Sequence, residues 1–213
     1  TKRNNILVDI KDNSAFSVND LDRNDYLLNV ENGTLDLSGD KPTLMSHHPD
    51  MLVSKICRVK YNPNIKGEEW QKFVSDIMLG DTAKIRYLQK IAGMSLTGNT
   101  QEEKIYILYG PTTRNGKSTY CETLAYLEGD YAANIRPESL SQKNNVDSRQ
   151  ASGDIARLAG VRYCSVAEPR KRMVLDAGIV KNLTGRDGIT ARHLHEREFT
   201  FLPKMTMVMN TNH

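Results

Sequence analysis

The sequence has little of the residues that build disulfide-rich or membrane-spanning proteins. Only three of its 213 residues are cysteine, and no two of them stand close together. An odd number of widely spaced cysteines argues against a disulfide framework and a cysteine zinc site, and it is typical of a reducing compartment. No apolar run approaches the ~20 residues that a membrane-spanning helix needs. We therefore expect no membrane partner.

What the chain does contain is typical of a soluble globular protein. Hydrophobic residues make up 38% and charged residues 26% of a 24.0 kDa chain, which excludes a disordered protein. This length suits one large domain or one domain with an appendage. The chain opens on polar residues with no secretory signal, and its first residue is not Met. We interpret it as part of a longer protein.

Basic residues are concentrated in the last third of the chain. Residues 136–213 hold 13 Lys and Arg against 8 Asp and Glu, whereas the other 135 residues hold 16 against 18. Such an excess indicates either a polyanionic partner or an ordinary solvated charged face.

Hydrophobic periodicity divides the chain into three segments. Residues 1–66 are predicted to be β-rich, with a hairpin over residues 26–37 that turns at Asn32 and Gly33, and another strand over residues 51–61. Residues 67–100 are predicted to be helical, because apolar residues recur there at helical spacing.

The third segment, residues 101–213, alternates strand-like and helical stretches. Strands are predicted over 104–109, 161–167 and 204–209, and a helix over 117–128. Strands separated by helices predict a parallel α/β sheet with helices on both faces. A polar hairpin is expected over residues 184–201.

The strongest motif lies where the first of these strands runs into the helix. Gly116, Lys117 and Ser118 open the helix, an arrangement typical of a phosphate-binding loop. Lys117 would reach the β- and γ-phosphates, and the Ser118 hydroxyl would ligate Mg²⁺. Five residues separate Gly110 from Gly116, one more than usual. The alternative is a chance Gly-Lys-Ser at the start of a helix.

Two other strand ends carry polar side chains that suit the same chemistry. Glu168 follows an apolar strand and could hold Mg²⁺ and activate water, although it could equally be an ordinary acid at a strand end. Asn210 and Asn212 end the last strand, and an amide there could sense the γ-phosphate. Spacing alone does not choose between these two residues, and Asn is also common in turns.

Five motifs in this order resemble the superfamily 3 helicase module of phage and plasmid primase–helicases, which is related to the poxvirus primase–helicase. The resemblance covers residues 25–213. It rests on Gly110-Pro to Asn115-Gly-Lys-Ser-Thr, on Ser165-Val-Ala-Glu-Pro, on Lys181-Asn-Leu-Thr-Gly-Arg-Asp-Gly-Ile-Thr-Ala-Arg, on Glu198-Phe-Thr-Phe-Leu-Pro-Lys and on Asn210-Thr-Asn-His.

This resemblance implies an AAA+-like P-loop ATPase core that binds ATP and Mg²⁺, forms a hexameric ring and unwinds DNA. It implies catalytic roles for Lys117, Glu168 and Asn212, because Asn212 directly before His213 matches the sensor position better than Asn210. Ser118 and Glu168 would hold the metal. The nucleotide would contact Gly110, Pro111, Thr112, Thr113, Arg114, Asn115, Gly116, Lys117, Ser118 and Thr119.

The family also places an arginine finger after the sensor strand, which we expect beyond His213, so this chain alone should hydrolyse ATP weakly. A primase domain or partner is expected elsewhere in the protein. The expected location is the cytoplasm, that of a bacterial host if a phage or plasmid encodes the protein.

The resemblance places DNA contacts on the polar hairpin and the segment before it. The candidate residues are Lys181, Arg192, His193, His195 and Arg197. Cations there suit a DNA backbone, but Glu196 and Glu198 dilute the charge. The alternative is a solvated hairpin with internal ion pairs.

Two other functions stay open at this point. The chain could be a different P-loop NTPase, such as a packaging motor or a kinase. It could also be a DNA- or partner-binding module that uses a nucleotide as a switch without turnover. Glu168 argues against the second alternative, because binding alone does not require it.

Overall fold

A small antiparallel sheet opens the part of the chain that the computed structural model describes, residues 20–142 and 153–212. Its strands, in spatial order, are β1 (Leu27–Val30), β2 (Gly33–Asp36) and β3 (Thr43–Met45). Leu28 and Val30 of β1 are buried with Leu35 in a core of their own, beside Tyr131. The predicted hairpin is confirmed.

The turn of this hairpin differs from the prediction. Val30 pairs with Gly33, so the turn residues are Glu31 and Asn32, and neither has a positive φ. A Cβ at Gly33 would lie 2.3 Å from the carbonyl oxygen of Met45. Glycine is needed here because β3 approaches closely, and not because the turn is left-handed.

Two helices follow, α1 (Glu68–Ile77) and α2 (Thr82–Ser95), which confirms the helical prediction. The Asp81 carboxylate caps α2 by accepting hydrogen bonds from the backbone N–H groups of Ala83 and Lys84. The strand predicted over residues 51–61 is wrong. That segment is irregular, and its backbone pairs with the small sheet at one bridge between Cys57 and Val30.

The remaining elements alternate as predicted, with one additional strand, β5. They are β4 (Ile105–Tyr109), α3 (Lys117–Glu128), β5 (Ala132–Ile135), α4 (Gly153–Ala156), β6 (Tyr163–Val166), α5 (Ala177–Thr184), β7 (Ile189–Ala191), β8 (Phe199–Phe201) and β9 (Thr206–Thr211). Short 3₁₀ helices cover Pro49–Met51, Gly129–Tyr131 and Pro137–Leu140.

Four of these strands form a parallel sheet in the order β4-β9-β6-β5. The last strand of the chain therefore lies between β4 and β6, although β4 and β9 are far apart in sequence. Tyr109 at the end of β4 pairs with Thr211 at the end of β9. Val166 at the end of β6 pairs with Met209. The carboxyl ends of three strands thus share one edge of the sheet.

Helices cover both faces of this sheet. Tyr163 and Val208 pack on one face against Tyr120 of α3 and residues of α1 and α2. Met207 and Met209 alternate with Val208 and pack on the other face, with α5 and α4. The alternation follows from the two-residue period of a strand, and it makes β9 apolar on both sides.

Two cations fasten the amino-terminal segment to the starts of β6 and β9. The Arg162 guanidinium is buried, donates to the carbonyl oxygens of Leu27 (2.7 Å) and Leu96 (2.8 Å), and lies 4.7 Å from the ring centroid of Tyr131. The Lys204 ammonium donates to the carbonyl oxygen of Asp22 at 2.7 Å. The small sheet is therefore held against the amino edge of the large one.

All three cysteines are buried and free, in agreement with the expected lack of disulfides. Burial raises the pKa of Cys57 and of Cys164 to about 12, so both thiols stay protonated near neutral pH. Within the described ranges, every helix is too short or too polar to cross a bilayer.

Replacing Arg162 should destabilise the protein strongly. Arg162→Met keeps the side-chain volume but leaves the buried carbonyl groups of Leu27 and Leu96 without donors, so we expect a loss of about 3 kcal/mol in urea unfolding. The control is Arg58→Met, which removes an exposed ion pair with Asp130 and should change stability by less than about 0.5 kcal/mol. Equal effects would contradict the anchoring role of Arg162.

A buried acid at the end of α3 makes stability depend on pH. The Glu128 carboxyl is fully buried and accepts a hydrogen bond from the Ser95 hydroxyl at 2.5 Å. Burial raises its pKa from 4.5 to about 8, against the opposing effects of Ser95 and Arg162. Between these values the folded chain binds a proton that the unfolded chain has released, so stability falls as pH rises through this window.

Glu128→Gln should remove this pH dependence, because an amide keeps the neutral form at every pH. We expect the free energy of unfolding of the unaltered protein to fall by a few kcal/mol between pH 5 and pH 8 relative to the variant. Urea titrations at four pH values in this range would measure it. If the free energies of unfolding of both proteins changed in parallel with pH, Glu128 would not titrate in this pH range.

Candidate functional site

The ends of three neighbouring parallel strands bring the predicted site residues together. Gly110 follows β4, Asn212 follows β9 and Glu168 comes two residues after β6. The backbone N–H of Gly110 donates to the carbonyl oxygen of Thr211 at 3.3 Å, which extends the pairing of β4 and β9 into the loop. The carboxyl edge of the sheet is therefore where these side chains meet.

The Lys117 ammonium is the centre of this group. It donates hydrogen bonds to Oδ1 of Asn212 at 2.5 Å, to Oδ1 of Asn115 at 2.9 Å and to the carbonyl oxygen of Gly110 at 3.4 Å. The backbone N–H of Asn212 in turn donates to Oε1 of Glu168 at 3.2 Å. Lys117, Asn212 and Glu168 thus form one hydrogen-bonded chain across three elements.

Two local features accommodate the extra residue of the loop between Gly110 and Gly116. Arg114 adopts a left-handed conformation with φ 58. Nδ2 of Asn115 donates to the carbonyl oxygen of Thr112 at 2.7 Å, so the Asn115 amide bridges the loop backbone and Lys117. The sequence predicts Asn115 in the nucleotide-binding loop but not this bridge, although Asn is a residue type that often bonds to nearby backbone.

The amino terminus of α3 points its free backbone N–H groups into the same loop. Gly116 is the N-cap with φ 81, and no side chain caps the helix there. The first N–H groups of a helix have no partner within it and attract anions together with the helix dipole. The Ser118 and Thr119 side chains are exposed beside these groups. This terminus is therefore suited to a phosphate.

The two asparagines of β9 have different environments. Asn210 lies inside the strand, opposite Leu108, and its Oδ1 is buried without a hydrogen-bond partner among the described residues. Asn212 lies just beyond the strand and contacts Lys117. The structure brings Asn212 and not Asn210 to the group around Lys117.

A divalent cation would find few protein ligands here. Within residues 20–142 and 153–212, no group of three or more His, Cys, Asp or Glu side chains could hold a metal ion. Ser118 and Glu168 offer one hydroxyl and one carboxylate, which are hard oxygen ligands. This donor set fits Mg²⁺, which usually binds through one or two protein oxygens plus phosphates and water.

The predicted polar hairpin exists, as β7 paired antiparallel with β8. His195 is at its end with φ 65, and His195 and Arg197 are exposed. His193 is half-buried and stacks on Phe199, with 5.6 Å between ring centroids, and Arg192 is half-buried beside it. Lys181 lies outside the hairpin, exposed on α5, so the structure does not group it with the other four residues.

The hairpin and the Lys117 group lie at opposite edges of the sheet. Phe201 ends β8 and is followed after four residues by Thr206, where β9 begins. The hairpin thus adjoins the amino end of β9, whereas Asn212 stands at its carboxyl end. A six-residue strand, about 20 Å long, separates the two groups of predicted site residues.

Comparisons with known proteins agree with the resemblance described above. Residues 1–79 match the family described as D5 N terminal like. A protein of Acanthamoeba polyphaga mimivirus that is named as a helicase is 31% identical over 187 residues, which cover 86% of this chain and 19% of that protein. A protein of African swine fever virus that is named as a primase is 26% identical over 200 residues, covering 91% and 20%.

Solved structures share the fold. The apo structure of the NrS-1 C terminal region superposes with a TM-score of 0.52 at 14% sequence identity, covering 72% of this chain and 37% of that one. The chain spans about a fifth of the length of the viral relatives. Together these matches relate the chain to the primase–helicase proteins of viral replication.

Gly116 should tolerate no side chain. A Cβ there would lie 2.4 Å from Cγ2 of Ile77, and φ is positive, so Gly116→Ala should lower the free energy of unfolding by about 2 kcal/mol. Gly93→Ala is the matched control, because nothing lies within 4 Å of its Cβ inside α2. That change should stabilise the protein by about 0.5–1 kcal/mol in the same urea titration. A neutral Gly116→Ala would contradict the tight packing of the loop against α1.

Proposed function

We propose that this chain is the ATP-binding part of a DNA helicase that hydrolyses ATP as a ring of subunits during replication. The proposal includes an AAA+-like P-loop fold, a hexameric ring and a primase domain or partner in the longer protein. The relationship to viral primase–helicases supports it, as does the strand order β4-β9-β6-β5, which sets a basic loop beside an acid and an amide.

One observation carries the proposal, namely the hydrogen-bonded chain from Lys117 through Asn212 to Glu168. A cation can neutralise phosphate charge, an amide can orient the attacking water and a carboxylate can accept its proton, so these three groups suit phosphoryl transfer to water. They come from separate elements and meet at the carboxyl edge of a parallel sheet, where ligands of open α/β sheets usually bind.

Each residue has a role in this scheme. The backbone N–H groups of residues 116–119 bind the phosphates, and Lys117 neutralises the charge that develops on the transferred phosphoryl group. Glu168 accepts a proton from the attacking water, and Asn212 holds that water or the γ-phosphate. Mg²⁺ brought with ATP would supply further charge neutralisation, with Ser118 and Glu168 as its protein-side oxygens.

The hairpin would carry the DNA contacts. His195 and Arg197 are exposed at its end, and exposed donors on a loop that projects from a ring subunit suit sequence-independent contacts with phosphates, although Glu196 and Glu198 balance part of the charge. Because β9 joins the hairpin to Asn212, a change at the nucleotide end has a direct structural route to the DNA end. An arginine finger from a neighbouring subunit would complete the site and set the rate of hydrolysis.

The proposal is tested by titrating the protein with ATP in the presence of Mg²⁺ and measuring the binding by calorimetry. Lys117→Ala should abolish measurable binding, because it removes the charge at the centre of the loop. Glu168→Gln should still bind ATP measurably, because Lys117 and the loop are intact, and should lose at least ~100-fold in hydrolysis, because the side chain no longer accepts the proton of the attacking water. Lys72→Ala, an exposed cation on α1, is the control and should change neither.

Hydrolysis is best measured in the longer, ring-forming protein with and without single-stranded DNA. DNA-stimulated turnover supports the helicase assignment. Phosphate transfer to a small acceptor without DNA would indicate a kinase instead, and ATP binding without turnover in the ring would indicate a nucleotide-switched binding module. Unchanged ATP affinity in Lys117→Ala would remove the phosphate loop from the proposal.

A further inference from the structure

A concave site lies at the edge of the sheet opposite Lys117. It has a volume of about 900 Å³ and is bounded by the amino-terminal segment on one side and the base of the β7–β8 hairpin on the other. Residues 21–23, 25, 54–55 and 98–100 form the first wall, residues 199–204 with Arg186 form the second, and residues 159–160 complete the lining. None of the predicted site residues lines it.

Two glycines allow the walls of this cavity to pack closely. A Cβ at Gly98 would lie 2.7 Å from Oδ1 of Asp25. A Cβ at Gly160, which has φ 70, would lie 2.7 Å from Cε of Lys55. Lys55 is therefore held along the wall by backbone rather than spread into solvent.

Two cationic side chains that line the cavity, Lys55 and Arg186, are available to bind a ligand. The Asp22 carboxylate accepts hydrogen bonds from the Ser54 hydroxyl and from the Ser54 N–H, and the Asp25 carboxylate pairs with Lys204 at 2.6 Å. Among the described residues, by contrast, no hydrogen bond or ion pair engages the side chain of Lys55 or of Arg186. Asp25 is thus paired with a cation and Asp22 is hydrogen-bonded to Ser54, whereas Lys55 and Arg186 line the cavity and are available to a ligand.

Aromatic rings lie beside these cations. Phe199 and Phe201 are on the same side of β8, half-buried, with 6.0 Å between their centroids. Thr200 and Asn99 add a hydroxyl and an amide to the lining. Proteins that bind single-stranded nucleic acid without sequence preference combine cationic side chains, which bind the phosphates, with aromatic rings, which stack on the bases.

We propose that this cavity binds a short segment of single-stranded DNA, with its phosphates on Lys55 and Arg186 and its bases against Phe199 and Phe201. This inference rests on the proposed function, since it gives the DNA a second contact beyond the hairpin end. The cavity is continuous with that hairpin through β8, so a strand held by His195 and Arg197 would run into it. The amino-terminal segment then becomes part of the DNA-binding surface.

The inference is tested by fluorescence anisotropy with a labelled oligothymidylate of about ten nucleotides, within the usual range of such sites. The double variant Lys55→Glu with Arg186→Glu should raise Kd at least ~10-fold and lower the slope of log Kd against log salt by about 1.4, because two phosphate contacts are lost and each contributes about 0.7 on a single strand. Lys60→Glu reverses one charge at an exposed position outside the cavity and should shift Kd less than about twofold.

Photo-crosslinking of an iodouracil oligonucleotide to the unaltered chain gives a test that needs no variant to fold. Adducts should map to residues 199–204. Adducts confined to residues 192–198, or equal affinity in the double variant and Lys60→Glu, would overturn the inference. RNA binding with the same residues, but no DNA binding, would overturn the choice of DNA.

The calorimetric titration of ATP separates this inference from the proposed function. If ATP binding depends on Lys117 but oligonucleotide binding does not depend on Lys55 and Arg186, only the cavity proposal is overturned. If oligonucleotide binding depends on the cavity residues but the chain binds no ATP, only the proposed ATPase function is overturned.

Discussion

The insertion of β9 between β4 and β6 is the constraint on which the rest of the structure depends. It pairs the last strand with two strands that are distant in sequence, and all the pairs are parallel. Parallel pairing aligns the strand ends, so Gly110, Asn212 and Glu168 share one edge. Because β9 is apolar on both faces, burial specifies this central position strongly. Without this pairing, Lys117 would lose its contact with Asn212 and, through it, the link to Glu168.

Local signals in the sequence were sufficient to predict the elements that build the site. The apolar run before Gly110 and the Gly-Lys-Ser at the helix start predicted β4 and α3 closely, since strand, glycine and helix signals agree there. The hairpin over residues 184–201 was also predicted, from alternating Phe199 and Phe201. These features depend on neighbours in the chain, which is why the sequence could predict them.

Features that depend on distant partners were predicted less well. The strand expected over residues 51–61 is absent because its apolar residues pack irregularly against the small sheet and pair at one bridge only. β5 was missed because Ala132-Ala-Asn-Ile is short and weakly alternating, and it becomes a strand by pairing with β6.

Contacts between side chains and distant backbone were missed as well. The neighbours of Arg162 in the sequence predict only a strand residue, and they do not indicate that its side chain is buried and donates to three backbone carbonyl groups. The Lys117 bond to Asn212 likewise spans 95 residues.

The attachment of Lys204 links two distant parts of the chain through one strand. Lys204 grips the carbonyl groups of Asp22 and Arg23 two residues before β9 begins, and Asn212 stands at the far end of the same strand. One strand is therefore fixed at its start to the amino-terminal segment and at its end to Lys117, so both regions share the position of β9 between β4 and β6.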